Sequence, residues 1–272
     1  HQFTNAMIKQ LIIHLGDRKT GSTSIQTALC KEVWQCETAA IHYPANFNHN
    51  YLAGLIKNNE QEALKTHAGK LRQKLIRSNA HYGIISAEGF EAVPPDSLSR
   101  FIEQYLSEWK DSIKLIVYIR PHANRFVSSF VERRKLGVFN QSMSVLHQKF
   151  KENRFLIYKE RLDAWRSTFG DSFKVRPFVR SFLHNNDVVD DFFEQVYRGH
   201  SYSLKRLDYR NESLCLEDLS TLVETRKIIK NKYGNQLKRK ALLQLGQRLA
   251  MLFSASEAKG TRICIHRELA EE

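Results

Sequence analysis

The chain alternates between short apolar runs and longer stretches in which apolar positions return every three or four residues. The first run is MIKQLIIHL (7–15). Four more have the length and β-branched content of buried strands: Ala39–Tyr43, Gly83–Ala87, Ile113–Ile119 and Phe173–Val179. Helical spacing fills the gaps: from the first turn to about Trp34, then Leu52–Arg77, Pro95–Lys110, Ala123–Lys135, Tyr158–Phe169 and Val188–Val196. Pro95 suits a first helical turn, where its missing N–H costs nothing. After residue 200 the pattern is helical alone, over Leu214–Lys232 and Gln236–Phe253. Strands alternating with helices predict an α/β fold: a mostly parallel sheet of about five strands, covered on both faces, with a helical C-terminal part. No repeat or Pro-rich linker interrupts it, so residues 7–272 read as one domain. Met7 reads as the natural start, with residues 1–6 foreign to the domain.

Composition narrows the class. Apolar residues make up 42% and charged residues 26% of 272, which is globular usage and excludes a disordered or collagen-like chain. The longest apolar stretch, Ala241–Phe253, is broken by Gln244, Gln247 and Arg248, so no spanning helix is expected. No secretory pattern opens the chain. Four cysteines, at 30, 36, 215 and 264, form no CxxC pair and no zinc spacing. They read as reduced, mostly buried thiols in a cytoplasmic setting. The net charge of +13 favours anionic partners: nucleotide, acidic polysaccharide, nucleic acid or a membrane surface.

The candidate chemistry begins where the first strand ends, at Gly16-Asp17-Arg18-Lys19-Thr20-Gly21-Ser22-Thr23-Ser24. A strand entering a helix through a glycine-bearing turn aims backbone N–H groups at one point, where an anion fits. Lys19 adds a mobile cation, and Ser22, Thr23 and Ser24 add hydroxyls. Gly16 and Gly21 have the spacing of a nucleotide-binding P-loop. The next residue, however, is Ser22 instead of lysine, and the only lysine lies inside the loop. The strand Ile113–Ile119 ends in Arg120, where an NTPase would want an acidic residue for its metal. The loop therefore reads as a site for a phosphate-like group without a metal.

A second basic group follows that strand. Arg120, Arg125, Ser128 and Ser129 fall within ten residues. A guanidinium at the C-terminal end of a strand faces the crevice where open α/β sheets bind ligands, and its planar fork suits a phosphate. A nucleotide with anions at both its 5′ and 3′ ends satisfies both groups.

The two segments together resemble the sulfotransferases that use 3′-phosphoadenosine-5′-phosphosulfate (PAPS), most closely the bacterial branch related to carbohydrate sulfotransferases. IIHLGDRKTGSTSIQTAL is similar to the family's 5′-phosphosulfate loop, and IVYIRPHANRFVSSF to its 3′-phosphate motif. Softer similarity runs through IHYP (41–44), IISAEGF (84–90), RLDAWRSTFG (161–170) and RNESLCLEDL (210–219). The resemblance implies a P-loop-like three-layer sandwich. It implies that Lys19 stabilises the leaving phosphate, and that Thr20, Gly21, Ser22, Thr23 and Ser24 hold the 5′ end. Arg120 and Ser128 would take the 3′-phosphate, with PAP (adenosine 3′,5′-bisphosphate) as product. Two positions depart from the pattern: Cys215 stands where a serine helix cap is expected, and Val179 where the family often has an acidic residue.

Sulfuryl transfer to a hydroxyl also needs a group to take the acceptor's proton. Glu88 follows the strand Gly83–Ala87 directly, at the ligand-binding edge, and is the candidate base. His14, on the first strand, reads as a packed histidine, and His49 as a loop residue within reach of an acceptor. Residues 226–240 hold seven basic and no acidic residues, and 70–77 hold four basic ones. Each is a solvated helix face or a track for an anionic, hydroxyl-bearing carbohydrate acceptor. Two rival readings are a P-loop nucleotide kinase, disfavoured by the lysine placement and the absent metal carboxylate, and a basic nucleic-acid-binding protein. The latter accounts for the charge and leaves two paired anion sites without a purpose.

Overall fold

The computed structural model describes residues 8–153, 157–206, 215–234, 241, 244–245, 248–249, 251, 260–261 and 263–265. In chain order the elements are β1 (Gln10–Leu15), α1 (Ser22–Cys30), β2 (Trp34–Gln35), β3 (Ile41–His42), α2 (Asn50–Asn58), α3 (Gln61–Ile76), β4 (Tyr82–Ala87) and α4 (Pro95–Tyr105). They continue with β5 (Ile113–Ile119), α5 (His122–Leu136), α6 (Met143–Glu152), α7 (Lys159–Phe169), β6 (Phe173–Pro177), α8 (Val188–Val196), β7 (Ser203–Leu204) and α9 (Leu216–Tyr233). The described residues of His1–Arg120 and Tyr158–Leu207 form one compact unit, and those of Pro121–Ile157 and Asp208–Glu272 another.

The first unit is a three-layer α/β sandwich. Its sheet has five strands in the order β3-β4-β1-β5-β6, all parallel. All five predicted strands are present. β1 lies at the centre, with His14 level with Ser86 on one side and Ile116 on the other. Successive side chains point to opposite faces. Leu11, Ile13, Leu15, Ile85, Ala87, Leu115 and Val117 pack under α2, α3, α4 and α7. Ile12, Ile84, Ile116 and Tyr118 pack under α1 and α8. Burial on both faces is why the strands read as unbroken apolar runs instead of alternating ones. β2 and β7 form a separate antiparallel ribbon.

Two helical expectations change. Leu52–Arg77 is two helices, because Asn59 takes a left-handed turn (φ 56°) and ends α2. The apolar spacing passes through that break, so periodicity alone hides it. Pro95 does open α4, but the helix stops at Tyr105 and a 3-10 stretch follows, Ser107–Ser112. There the buried Trp109 indole donates to the Ile8 carbonyl at 2.8 Å.

The second unit holds α5, α6 and α9. Val131 packs with Leu219, Leu222 and Val223. Phe126 packs with Phe139, Leu146 and Phe150. The sequence reading has no counterpart to α6, which opens on a Ser142 cap that accepts from the Val145 N–H at 3.4 Å. Cys215 caps α9, its Sγ accepting from the Asp218 N–H at 3.5 Å, so a thiol fills the place expected of a serine. Arg226 donates to the Arg134 and Lys135 carbonyls at 2.8 and 3.0 Å. That basic residue therefore closes the C-terminus of α5 and is not spread along a solvated face. The predicted helix Gln236–Phe253 lies largely outside the described residues. All four cysteines are free; three are half-buried and Cys264 is exposed, so none is buried as expected. Among the described residues no helix is long and apolar enough to cross a membrane.

Candidate active site

The site is built around the turn between β1 and α1. The Gly16 N–H donates to the Ala87 carbonyl at 3.0 Å, which ties the end of β1 to the end of β4. A Cβ at Gly16 would stand 2.7 Å from Ser22 Oγ and 3.0 Å from Glu88 Cα, so only glycine lets these segments close together. Lys19 (φ 64°) and Gly21 (φ 80°) both take the left-handed region. For Lys19 that conformation costs on the order of 1–2 kcal/mol, a strain the rest of the loop must offset. The double reversal delivers the chain to Ser22, where α1 starts with no side-chain cap. Uncapped N–H groups and the helix dipole together favour an anion there.

The loop hydroxyls divide into two sets. Thr20 Oγ1 donates to the Asp17 carbonyl at 2.7 Å, and Ser22 Oγ reaches the same oxygen at 3.4 Å; both residues are buried. Their side chains shape the loop. Thr23 is exposed and Ser24 half-buried.

Glu88 begins the 3-10 turn Glu88–Ala92 immediately after β4. Its carboxyl lies beside the Lys19 turn, whose main-chain N–H and ammonium both favour the ionised form. Burial raises the Glu88 carboxyl above its ordinary value; nearby Arg18 and Lys19 pull it down, and Glu91 pushes it up. The structure thus brings Lys19 and Glu88 together, although 69 residues separate them in sequence. Glu91 in turn accepts from the Arg18 N–H at 3.2 Å.

Arg120 lies just past the end of β5, the strand on the other side of β1. Its guanidinium stands over the Phe178 ring at 5.2 Å, and its carbonyl accepts from Tyr158 Oη at 2.9 Å. Burial lowers its pKa, yet an arginine stays charged at neutral pH. Arg125 and Ser128 are on α5 in the second unit, Arg125 buried and Ser128 half-buried.

No protein-family model matches the chain. No curated protein matches it either. Among solved structures it is similar to a sulfotransferase from Alicyclobacillus acidocaldarius, with a TM-score of 0.42 and 14% identity, over 61% of this chain and 72% of that one. A likeness at that level carries no argument. The fold rests on the strand order, and the site on the geometry above.

One feature of the site has no signal in the sequence. Asp17 is fully buried beneath the loop, and Arg161 on α7 meets both of its carboxylate oxygens, at 2.6 and 2.7 Å. The pair spans 144 residues, beyond any spacing rule. His14 is fully buried, with Nδ1 2.8 Å from Ser86 Oγ, which also accepts from Gln26 Nε2 at 3.1 Å. Burial holds His14 down to about 3, so it is a neutral packed residue, as its place on the strand predicts. His49 is not a free loop side chain: it is 4% exposed, and its Nδ1 accepts from the Ser86 N–H at 3.1 Å. Among the described residues no group of three or more His, Cys, Asp or Glu side chains is arranged to hold a metal.

Proposed function

We propose that the protein is a PAPS-dependent sulfotransferase that sulfates a hydroxyl, with a carbohydrate as acceptor. The observation that carries this reading is the packing of Glu88 against the Lys19 turn at an uncapped helix N-terminus. One edge of the sheet thereby offers an anion cradle, a cation and a carboxylate. The sequence motifs around Lys19 and Arg120 supply the donor's identity.

PAPS brings the sulfuryl group and a phosphate leaving group. The N–H groups of Thr20, Gly21, Ser22, Thr23 and Ser24 hold the 5′ end, and Arg120 receives the 3′-phosphate. The assignment of Ser128 to that phosphate rests on its sequence motif. Glu88 takes the acceptor proton as the acceptor oxygen bonds to sulfur. The sulfur–oxygen bond to the phosphate breaks at the same time, and Lys19 stabilises the negative charge left on the leaving oxygen. Arg120 stands where nucleotide triphosphatases place the carboxylate that holds their metal, so the reading requires no divalent ion. Free thiols suit a cytoplasmic location.

Calorimetric titration tests the donor. PAP is expected to bind in the presence of a chelator. Binding of magnesium–ATP with no binding of PAP would overturn the reading in favour of a kinase. Labelled PAPS incubated with a panel of glycans, glycolipids and small hydroxyl compounds then identifies the acceptor class.

A further inference from the structure

The first turn of α7 touches both ends of the candidate donor site. Arg161 grips the Asp17 carboxylate through both nitrogens of its fork, and the Asp17 carbonyl is the oxygen that Thr20 and Ser22 bond. Three residues earlier, Tyr158 Oη donates to the Arg120 carbonyl at 2.9 Å. The Arg161 guanidinium itself lies over the Tyr158 ring at 5.7 Å. A continuous chain of contacts therefore runs Asp17–Arg161–Tyr158–Arg120, from the turn after β1 to the residue after β5. Tyr158 and Trp165 are buried, which fixes α7 on the sheet. Neither Tyr158 nor Arg161 carries a group that the proposed reaction uses.

We infer that Tyr158 and Arg161 are positioning residues that brace the Lys19 loop and Arg120 against each other, setting the separation at which the protein accepts a nucleotide charged at both ends. The physical basis is preorganisation: a ligand gripped at two points gains from both only if their spacing is held before it arrives. Asp17 gives the brace its second function. A bare carboxylate under an anion-binding loop would repel the ligand, and the Arg161 fork neutralises it where it stands. Arginine is required for that geometry, since lysine offers charge without the paired bonds.

The inference rests on the proposed donor, so the experiment separates the two. Wild type, Tyr158→Phe and Arg161→Lys, each as the full chain, are titrated with PAP and with adenosine 5′-monophosphate, which lacks the 3′-phosphate. Amide hydrogen exchange is followed over residues 17–22 and 119–120. Tyr158→Phe is expected to weaken PAP about tenfold, the scale of one lost hydrogen bond, while the monophosphate stays within about twofold. Arg161→Lys is expected to weaken both ligands by about tenfold or more and to speed exchange at 17–22. For Tyr158→Phe, a structural role alone would lower the melting temperature without changing the ratio of the two affinities. An unchanged ratio in Tyr158→Phe, or unchanged exchange at 17–22 in Arg161→Lys, overturns the brace. If Arg161→Lys does not fold, Asp17→Asn cuts the same fork from the loop side and is read in the same way. A wild type that binds no PAP sinks the donor assignment, and the brace is then decided by exchange at 17–22 and 119–120.

Discussion

His14 and Ser86 lie level on adjacent strands, and the imidazole Nδ1 of one is 2.8 Å from the hydroxyl of the other. The ring is sealed between Tyr118 and Phe192, so protonating it would place a charge inside the sheet. Burial holds His14 at about 3 and His49 at about 4, against an ordinary 6.5. The sign follows: between those values and 6.5 the unfolded chain binds more protons than the folded one, so stability is full above about 6.5 and falls as pH drops. Melting temperature measured from pH 8 to pH 4 is expected to decline below pH 6.5. His14→Asn, which keeps a polar atom near the Nδ1 position, is expected to flatten that decline. An unchanged slope would remove His14 from the acid sensitivity.

The charge on Lys19 is expected to matter more to the reaction than to the fold. Lys19→Ala should cut turnover by at least about a hundredfold, as loss of one donor to a developing negative charge does elsewhere. Its melting temperature should hold or rise slightly, since any residue there must adopt the left-handed turn. Stopped-time assays with labelled donor, paired with thermal unfolding, check both outcomes.

Glu88→Gln keeps the side chain's size and removes the proposed base. Turnover should fall about 10²–10⁴-fold while PAP affinity stays within about threefold. In the wild type the rate should fall as pH drops through a value above the ordinary carboxylate range, because only the ionised carboxylate accepts a proton and burial raises its pKa. A pH–rate profile whose acid limb survives in Glu88→Gln would assign that limb to another group.

Asp191 tests the fold away from the chemistry. It is fully buried, accepts from Tyr118 Oη at 2.8 Å, from Arg176 Nε at 3.0 Å and from the His184 N–H at 3.0 Å. Burial alone would raise its carboxyl; the bonds from Arg176, His184 and Tyr118 outweigh that and hold it below the usual value. Asp191→Ala leaves the half-buried Arg176 guanidinium and the buried Tyr118 hydroxyl without their carboxylate and is expected to cost about 1–3 kcal/mol by urea unfolding.

Local chemistry was legible in the sequence, and distant pairing was not. The five strands could be read because each is a short apolar run bounded by polar turns. The positions of Lys19, Gly21 and Arg120 just beyond a strand could be read because each strand's end is marked locally. Glu88 was readable only as a residue at a strand end; its contact with Lys19 depends on β4 lying beside β1, which no local pattern encodes. The break at Asn59 was lost because Leu55, Ile56, Leu64 and Ala68 keep a helical rhythm across it. The helix Met143–Glu152 did leave a signal, Ser142 ahead of Val145, Leu146 and Phe150, that the reading passed over. Arg161 looks like any surface arginine until α7 is laid on the sheet.

Gly16 has a hydrogen where other residues have a carbon, and that hydrogen is all that fits between Ser22 and Glu88. The smallest side chain in the protein is therefore its spacer gauge. Even one added methyl would wedge the Glu88 turn away from the Lys19 loop. The same methyl would strain the packing of the loop, so spacing and stability rest on one missing carbon.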